Sequence, residues 1–341
     1  MTDLIVTNFN RNFTGVSATA AGVVRVQAGR YDMALTDVAL PGCPAPVSRA
    51  EARRLSRDPG GRPFTIWHVR RNTEMRAALW ARDILRLPVR IVFTSAAQRR
   101  HSAFPRWLIS RMDAVIATTR AAADFVPHVR AVVPHGVDCD RFAPAPDRAA
   151  AWRATGHPGT RGIATIGRVR PEKGTDRFVD TMCAVLPHHP GLTALVIGRA
   201  AGADRAFLDR LKAQAAAAGL ADRLLFVGEM GPDSLRALLP ALSLVVQLPR
   251  YEGYGMAPLE GMASGVPFVA ADAGHYAEFS AEGRAGMVTG DAAGAVSALL
   301  RDRDRHAAMA RAAREVALQR YSVTREADGI GAVYEALWSG R

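Results

Sequence analysis

The chain has 341 residues, 49% of them hydrophobic and 22% charged, which supplies a sizeable core over a length of about two domains and excludes a disordered chain. It carries 44 Lys and Arg against 32 Asp and Glu, a net charge of +12, so an anionic partner is expected, although a genome rich in G and C would also enrich arginine and alanine. All the basic residues except Lys173 and Lys212 are arginine, and the cysteines Cys43, Cys139 and Cys183 lack metal-ligand spacing, which fits packing roles in a reducing cytoplasm.

The first residues show no basic region, long apolar block or small-residue cleavage site ahead of the run Leu4 to Thr7, so a cytoplasmic protein is expected. Short β-branched runs then recur at Met33 to Leu40, Phe64 to Val69, Arg90 to Thr94 and Ala114 to Thr118. After a break they resume at Ile163 to Ile166, Leu192 to Ile197, Leu224 to Val227, Leu244 to Leu248 and Pro267 to Ala270. Helical patterns separate them, a rhythm that predicts parallel sheets covered by helices on both faces. Pro144, Pro146, Gly156, Pro158 and Gly159 cluster in the break and mark a domain boundary. The resulting division is an amino-terminal domain over 1–145, a linker over 146–160, a carboxyl-terminal domain over 161–320 and a final amphipathic helix within 321–341 that packs back on the first domain. The uncharged stretch Ala237 to Pro249 is too short for a bilayer span and is broken by Pro240.

Two open α/β domains bind ligands at the carboxyl ends of their strands, here expected to face a shared cleft. Directly after the strand ending at Ile166 comes Gly167-Arg168-Val169-Arg170-Pro171-Glu172-Lys173-Gly174-Thr175. Fixed cations beside a helix start suit a diphosphate, because the helix end adds free N–H donors and partial positive charge. Lys173 precedes its glycine, which distinguishes the segment from a Walker A loop. After Leu248 comes Tyr251-Glu252-Gly253-Tyr254-Gly255-Met256-Ala257-Pro258-Leu259-Glu260. Its glycines allow close backbone approach to a ligand, Pro258 fits a first helical turn, and the two carboxylates suit hydroxyls of a sugar and a ribose. The turn at Phe226-Val227-Gly228-Glu229 suggests where a base stacks.

Gly-Arg-x4-Lys-Gly followed about eighty residues later by Glu-x7-Glu, with Val133-Pro134-His135-Gly136-Val137-Asp138 before the break, resembles glycosyltransferase family 4 of GT-B fold. The resemblance implies an α/β architecture of two Rossmann-like doubly wound domains. It implies a metal-independent, retaining transfer from a nucleotide sugar. Arg168 and Lys173 would hold the donor diphosphate, Glu252 would border the sugar, and Glu260 would hold the ribose. Gly253, Tyr254, Gly255, Phe226 and Val227 would complete the donor site. In the amino-terminal half, Asn12-Phe13-Thr14-Gly15-Val16-Ser17 occupies the place of the family's glycine-rich loop and retains only Gly15 of the usual pair. His68, in Ile66-Trp67-His68-Val69, is similar to the family's active-site histidine.

The stretch Trp67 to Thr119, with Arg70-Arg71-Asn72, Ala97-Gln98-Arg99-Arg100-His101 and Phe104-Pro105-Arg106-Trp107-Leu108, resembles lipopolysaccharide core mannosyltransferases. That implies GDP-mannose as donor, no further cofactor, and a phosphate-bearing, lipid-linked saccharide as acceptor. Arginines interleaved with Phe104 and Trp107 suit either an anionic membrane surface, placing the protein on the inner face of the cytoplasmic membrane, or an ordinary solvated helix with buried aromatics. Asp138-Cys139-Asp140 has no accompanying ligand cluster and is not read as a metal site. Alternatives left open are a UDP-sugar-dependent transferase, a sugar-nucleotide epimerase or hydrolase on the same fold, and a nonenzymatic nucleic-acid binder. The last lacks any recognition helix, RNA-binding signature or stacking platform, so nucleic acid is not expected as a partner.

Overall fold

The computed structural model describes residues 2–12 and 14–340. The chain forms two compact units, one of Met1–Gly136 with Tyr321–Arg341 and the other of Val137–Arg320.

The first unit runs β1 (Leu4–Asn8), α1 (Gly15–Gln27), β2 (Met33–Asp37), α2 (Arg49–Leu55), β3 (Thr65–Val69), α3 (Asn72–Leu79), β4 (Val89–Ser95), α4 (Ala103–Ser110), β5 (Ala114–Ala117), α5 (Arg120–Ala123) and β6 (Val129–Val132). The strands form one parallel sheet in the order β2-β1-β3-β4-β5-β6. Every residue of β1 and β3 is buried, as required of a strand with helices on both faces.

The second unit runs α6 (Arg148–Ala154), β7 (Arg161–Ile166), α7 (Thr175–Val185), β8 (Leu192–Ile197), α8 (Arg205–Ala217), β9 (Leu224–Gly228), α9 (Pro232–Leu238), β10 (Leu242–Gln247), α10 (Met256–Ala263), β11 (Phe268–Ala270), α11 (Tyr276–Ser280), β12 (Gly286–Val288), α12 (Ala292–Arg301) and α13 (Arg303–Arg320). Its parallel sheet has the order β12-β11-β10-β7-β8-β9. The chain then re-enters the first unit through α14 (Val323–Trp338). There Ile330, Val333, Tyr334 and Trp338 join the core built by β1, α1 and β3.

Two features depart from the sequence reading. β6 and β12 were not anticipated, and both are edge strands. β6 alternates half-buried and exposed residues, and β12 has three residues, so neither carries the continuous apolar run of a central strand. The stretch 146–160 is not a linker but part of the second unit. Trp152 of α6 is fully buried over β7, with Gly162 lying directly under its ring.

Candidate active site

The strand order fixes where ligands can approach. In the second sheet the chain leaves β7 toward β8 and β9, then returns on the other side through β10, so β7 and β10 flank the topological switch point. Helices on opposite faces diverge there and leave a crevice at the strands' carboxyl ends. The Arg168–Lys173 segment follows β7, and the Glu252–Glu260 segment follows β10.

A short 3-10 turn, Pro171–Lys173, lifts Lys173 to the rim, and Gly174 closes it at φ 68°. A Cβ on Gly174 would lie 1.8 Å from the Leu248 carbonyl oxygen, so only glycine lets this turn rest on the end of β10. Arg250 ties the two loops further, donating to the Pro171 carbonyl and pairing with Asp176 at 2.7 Å. The result is direct contact across the crevice, with Lys173 Nζ 2.7 Å from Glu252 Oε2. Glu252 Oε1 accepts from its neighbour Gly253 N–H at 2.9 Å. Arg168 is exposed, and its guanidinium has no ion-pair partner among the described residues.

Gly255 begins α10 at φ 106°, where a Cβ would strike the Tyr276 ring. The Tyr254 side chain, expected at the donor site, faces the protein interior. It is buried, stacked on His275 with ring centroids 5.2 Å apart and edge-on to Phe279, so it holds the loop from behind. Glu260, in the second turn of α10, receives no hydrogen bond on its carboxyl among the described residues. Burial pushes its pKa up to about 7, while the residue keeps some surface, so the carboxyl is walled by protein yet reachable. At the end of β9, Phe226 and Val227 are half-buried, and Gly198 N–H donates to Gly228 at 2.7 Å, which ties the β8 and β9 loops together.

Sequence reasoning missed the segment Asp272-Ala273-Gly274-His275, which follows β11 and packs on the Glu252 loop. His275 N–H donates to the Tyr254 carbonyl at 2.9 Å, and a Cβ on Gly274 would lie 2.9 Å from the Glu252 Cγ. The available signal was a second loop with a glycine directly after a predicted strand.

In the first unit the switch point lies between β1 and β3. Gly15 opens α1 there and is exposed; Phe13 of the same segment lies outside the described residues. His68, similar in sequence to the family's active-site histidine, lies inside the first unit. It is fully buried, with Nδ1 bonded to Tyr334 Oη and Nε2 2.7 Å from Thr94 Oγ1. Burial and the nearby Arg70 cation hold it well below the usual histidine pKa, so it is a neutral core residue. The polar cluster at this crevice is instead Arg71 with Glu74. Glu74, fully buried, accepts from Thr7, from Phe9 N–H, from Arg70 N–H and from Arg71. Arg71 also donates to Asn8 and to Ser17 at the start of α1. Its signal was a charged pair immediately following a strand.

On α4, Phe104 and Trp107 are 51% and 54% exposed and stacked at 6.2 Å. Arg111 stands 6.0 Å over the Trp107 ring. The alternative of buried aromatics therefore does not hold for this helix. Among the described residues no helix is long and apolar enough to cross a membrane, and no group of three or more His, Cys, Asp or Glu side chains could hold a metal ion.

The family model for group 1 glycosyl transferases matches residues 152–316, which contain the whole Lys173–Glu260 crevice. Over 98% of its length and 97% of the relative's, the chain is 42% identical to the lipopolysaccharide core biosynthesis mannosyltransferase LpsB of Rhizobium meliloti. The chain belongs to the group 1 glycosyl transferases. It is also 40% identical to the lipopolysaccharide core biosynthesis mannosyltransferase LpcC of Rhizobium leguminosarum bv. viciae, over 98% of this chain and 96% of that one. Anabaena HepE, solved in complex with UDP and glucose, matches with a TM-score of 0.82 at 17% identity, covering 98% of this chain and all of that one. The likeness gives this glycosyltransferase the GT-B fold.

Proposed function

We propose that this glycosyltransferase moves mannose from GDP-mannose, with retention at the anomeric carbon, onto a phosphate-bearing, lipid-linked core saccharide of lipopolysaccharide. The observation that carries the reading is Lys173 against Glu252 at the switch point of the second sheet. The near full-length likeness to lipopolysaccharide core mannosyltransferases supplies the substrate class.

The donor diphosphate takes Lys173 and the exposed Arg168, together with N–H groups at the start of α7. Glu252, already fixed by Gly253, accepts from sugar hydroxyls, and Glu260 accepts from the ribose. Phe226 and Val227 border the base. As the bond from the anomeric carbon to the phosphate oxygen breaks, negative charge collects on the departing GDP, where the two cations stabilise it. The acceptor oxygen bonds to the anomeric carbon on the same face, and its proton passes to the departing phosphate oxygen. With Arg168 and Lys173 supplying positive charge, the reaction needs no metal. The exposed Phe104 and Trp107 with their arginines support a peripheral seat on the anionic inner face of the cytoplasmic membrane.

The test is a thermal-shift panel of nucleotide sugars, followed by turnover of the best donor with truncated core lipids in the presence of EDTA. GDP-mannose should give the largest shift. Arg168→Ala and Lys173→Ala should each lower turnover about 100-fold; near-normal rates in both variants, with fold intact, refute the assignment. A preference for UDP sugars would move the donor, and donor consumption without acceptor would identify a hydrolase or epimerase.

A further inference from the structure

The second unit carries another concentration of cations that glycosyl transfer does not use. Arg161 is the first residue of β7, whereas Lys173 follows its last. A six-residue strand therefore puts the two at opposite ends of the sheet, roughly 20 Å apart. Around Arg161 lies a cavity of about 330 Å³ whose walls include Arg148, Arg303, Thr160, Ser243 and the buried Trp152.

Its arginines have no acidic partner among the described residues. Arg148, at the start of α6, donates through Nη2 to the Gly265 carbonyl at 2.5 Å, while its buried Nε has no partner. Arg161 donates to the Leu300 carbonyl at 3.1 Å. Both are thus tethered by neutral oxygens and keep their charge uncompensated. Burial lowers the pKa of both, and the neighbouring Arg303 adds repulsion at Arg161. Arg303, exposed at the start of α13, forms no ion pair among the described residues. His306, whose Nε2–H donates to the Ser243 carbonyl at 2.8 Å, has its pKa lowered by burial and by the Arg148 and Arg161 cations, so it stays neutral beside them. Like charges gathered around a partly enclosed space, with no counter-charge, destabilise the fold unless an anion enters.

The geometry points to a second anion site, distinct from the donor crevice, that takes a phosphate group. Three arginines line the cavity from α6, β7 and α13, with the Ser243 side chain in its wall, while the Thr160 hydroxyl is committed to the Gly191 carbonyl at 3.3 Å. A tetrahedral anion with several acceptor oxygens satisfies such an array better than one planar carboxylate does. The volume admits a phosphate together with the group it is esterified to, so the source is either a soluble phosphorylated metabolite or the headgroup of an anionic phospholipid. Occupancy bolts α6 and α13 to the amino-terminal end of the sheet and stabilises the second unit by linkage.

The test uses full-length protein carrying Arg168→Ala and Lys173→Ala, so that the donor crevice no longer contributes. Inorganic phosphate and pyrophosphate are titrated by calorimetry at constant ionic strength, with melting temperature in parallel. Vesicles of phosphatidylglycerol and of phosphatidylcholine form the lipid arm. One phosphate per chain should bind and raise the melting temperature. Adding Arg303→Gln should weaken it about tenfold, and Arg148→Gln with Arg161→Gln should abolish it. Sedimentation with phosphatidylglycerol vesicles that is lost in Arg303→Gln, without response to soluble phosphate, would identify the lipid source. Should that background bind neither probe, or bind both unchanged after Arg303→Gln, the site does not exist. Arg303 is exposed, so its variant decides the matter even if Arg148→Gln fails to fold.

Discussion

Glu260 offers a prediction in which stability and ligand binding respond to pH in linked ways. Burial raises its folded pKa from 4.5 to about 7. Between those values the folded chain holds a proton that the unfolded chain releases, so stability falls as pH rises through this window. The loss is complete above pH 7 and absent below 4.5. Each pKa unit is worth about 1.4 kcal/mol, which puts the cost at pH 8 on the order of 3 kcal/mol at most, and lower to the extent that the carboxyl's open edge is hydrated. Glu260→Gln removes the titration while keeping the shape. Urea unfolding at pH 5 and pH 8 should therefore show the variant gaining on the parent by about 2–3 kcal/mol at the higher pH. His68 acts oppositely, since its lowered pKa removes stability as pH falls below 6.5, so only the difference between parent and variant isolates Glu260. A ribose that donates to this carboxyl favours the ionised form. Nucleotide affinity should then strengthen as pH rises from 6 to 8, with a proton released on binding that is measurable by calorimetry in buffers of different ionisation enthalpy. In Glu260→Gln both effects should vanish. A stability difference that does not change with pH, or an affinity profile shared by both proteins, would sink this account of Glu260.

Gly174→Ala should cost several kcal/mol, because its Cβ meets the Leu248 carbonyl at φ 68°. Gly228→Ala, at φ 79° with open space around it, should cost only about 1–2 kcal/mol; chemical denaturation compares the two. His68→Ala should lower stability by about 3 kcal/mol or more through two lost buried hydrogen bonds and a cavity. Its turnover at a temperature where it remains folded should stay within about tenfold of the parent, and a 100-fold loss would restore a catalytic role. Phe104→Ser with Trp107→Ser should reduce sedimentation with anionic vesicles while leaving melting temperature nearly unchanged, since both rings are exposed.

The sequence by itself determined the central strands and the two motifs of the donor crevice. A strand buried on both faces, such as Leu4–Asn8 or Leu192–Ile197, is written as a mostly apolar, charge-free run, and a loop that meets phosphate is written as glycine beside fixed charge. Both signals are local in the chain. The edge strands β6 and β12 were not legible because a half-solvated strand of three or four residues has no distinctive pattern. Only the tertiary structure decided that Lys173 meets Glu252, 79 residues away, and that Tyr334, 266 residues from His68, closes that imidazole into the core. It alone decided that Arg148, Arg161 and Arg303 share one cavity. The reason is physical: charge, burial and pKa depend on what surrounds a group in space, and chain closure over such separations leaves no trace in the residues on either side.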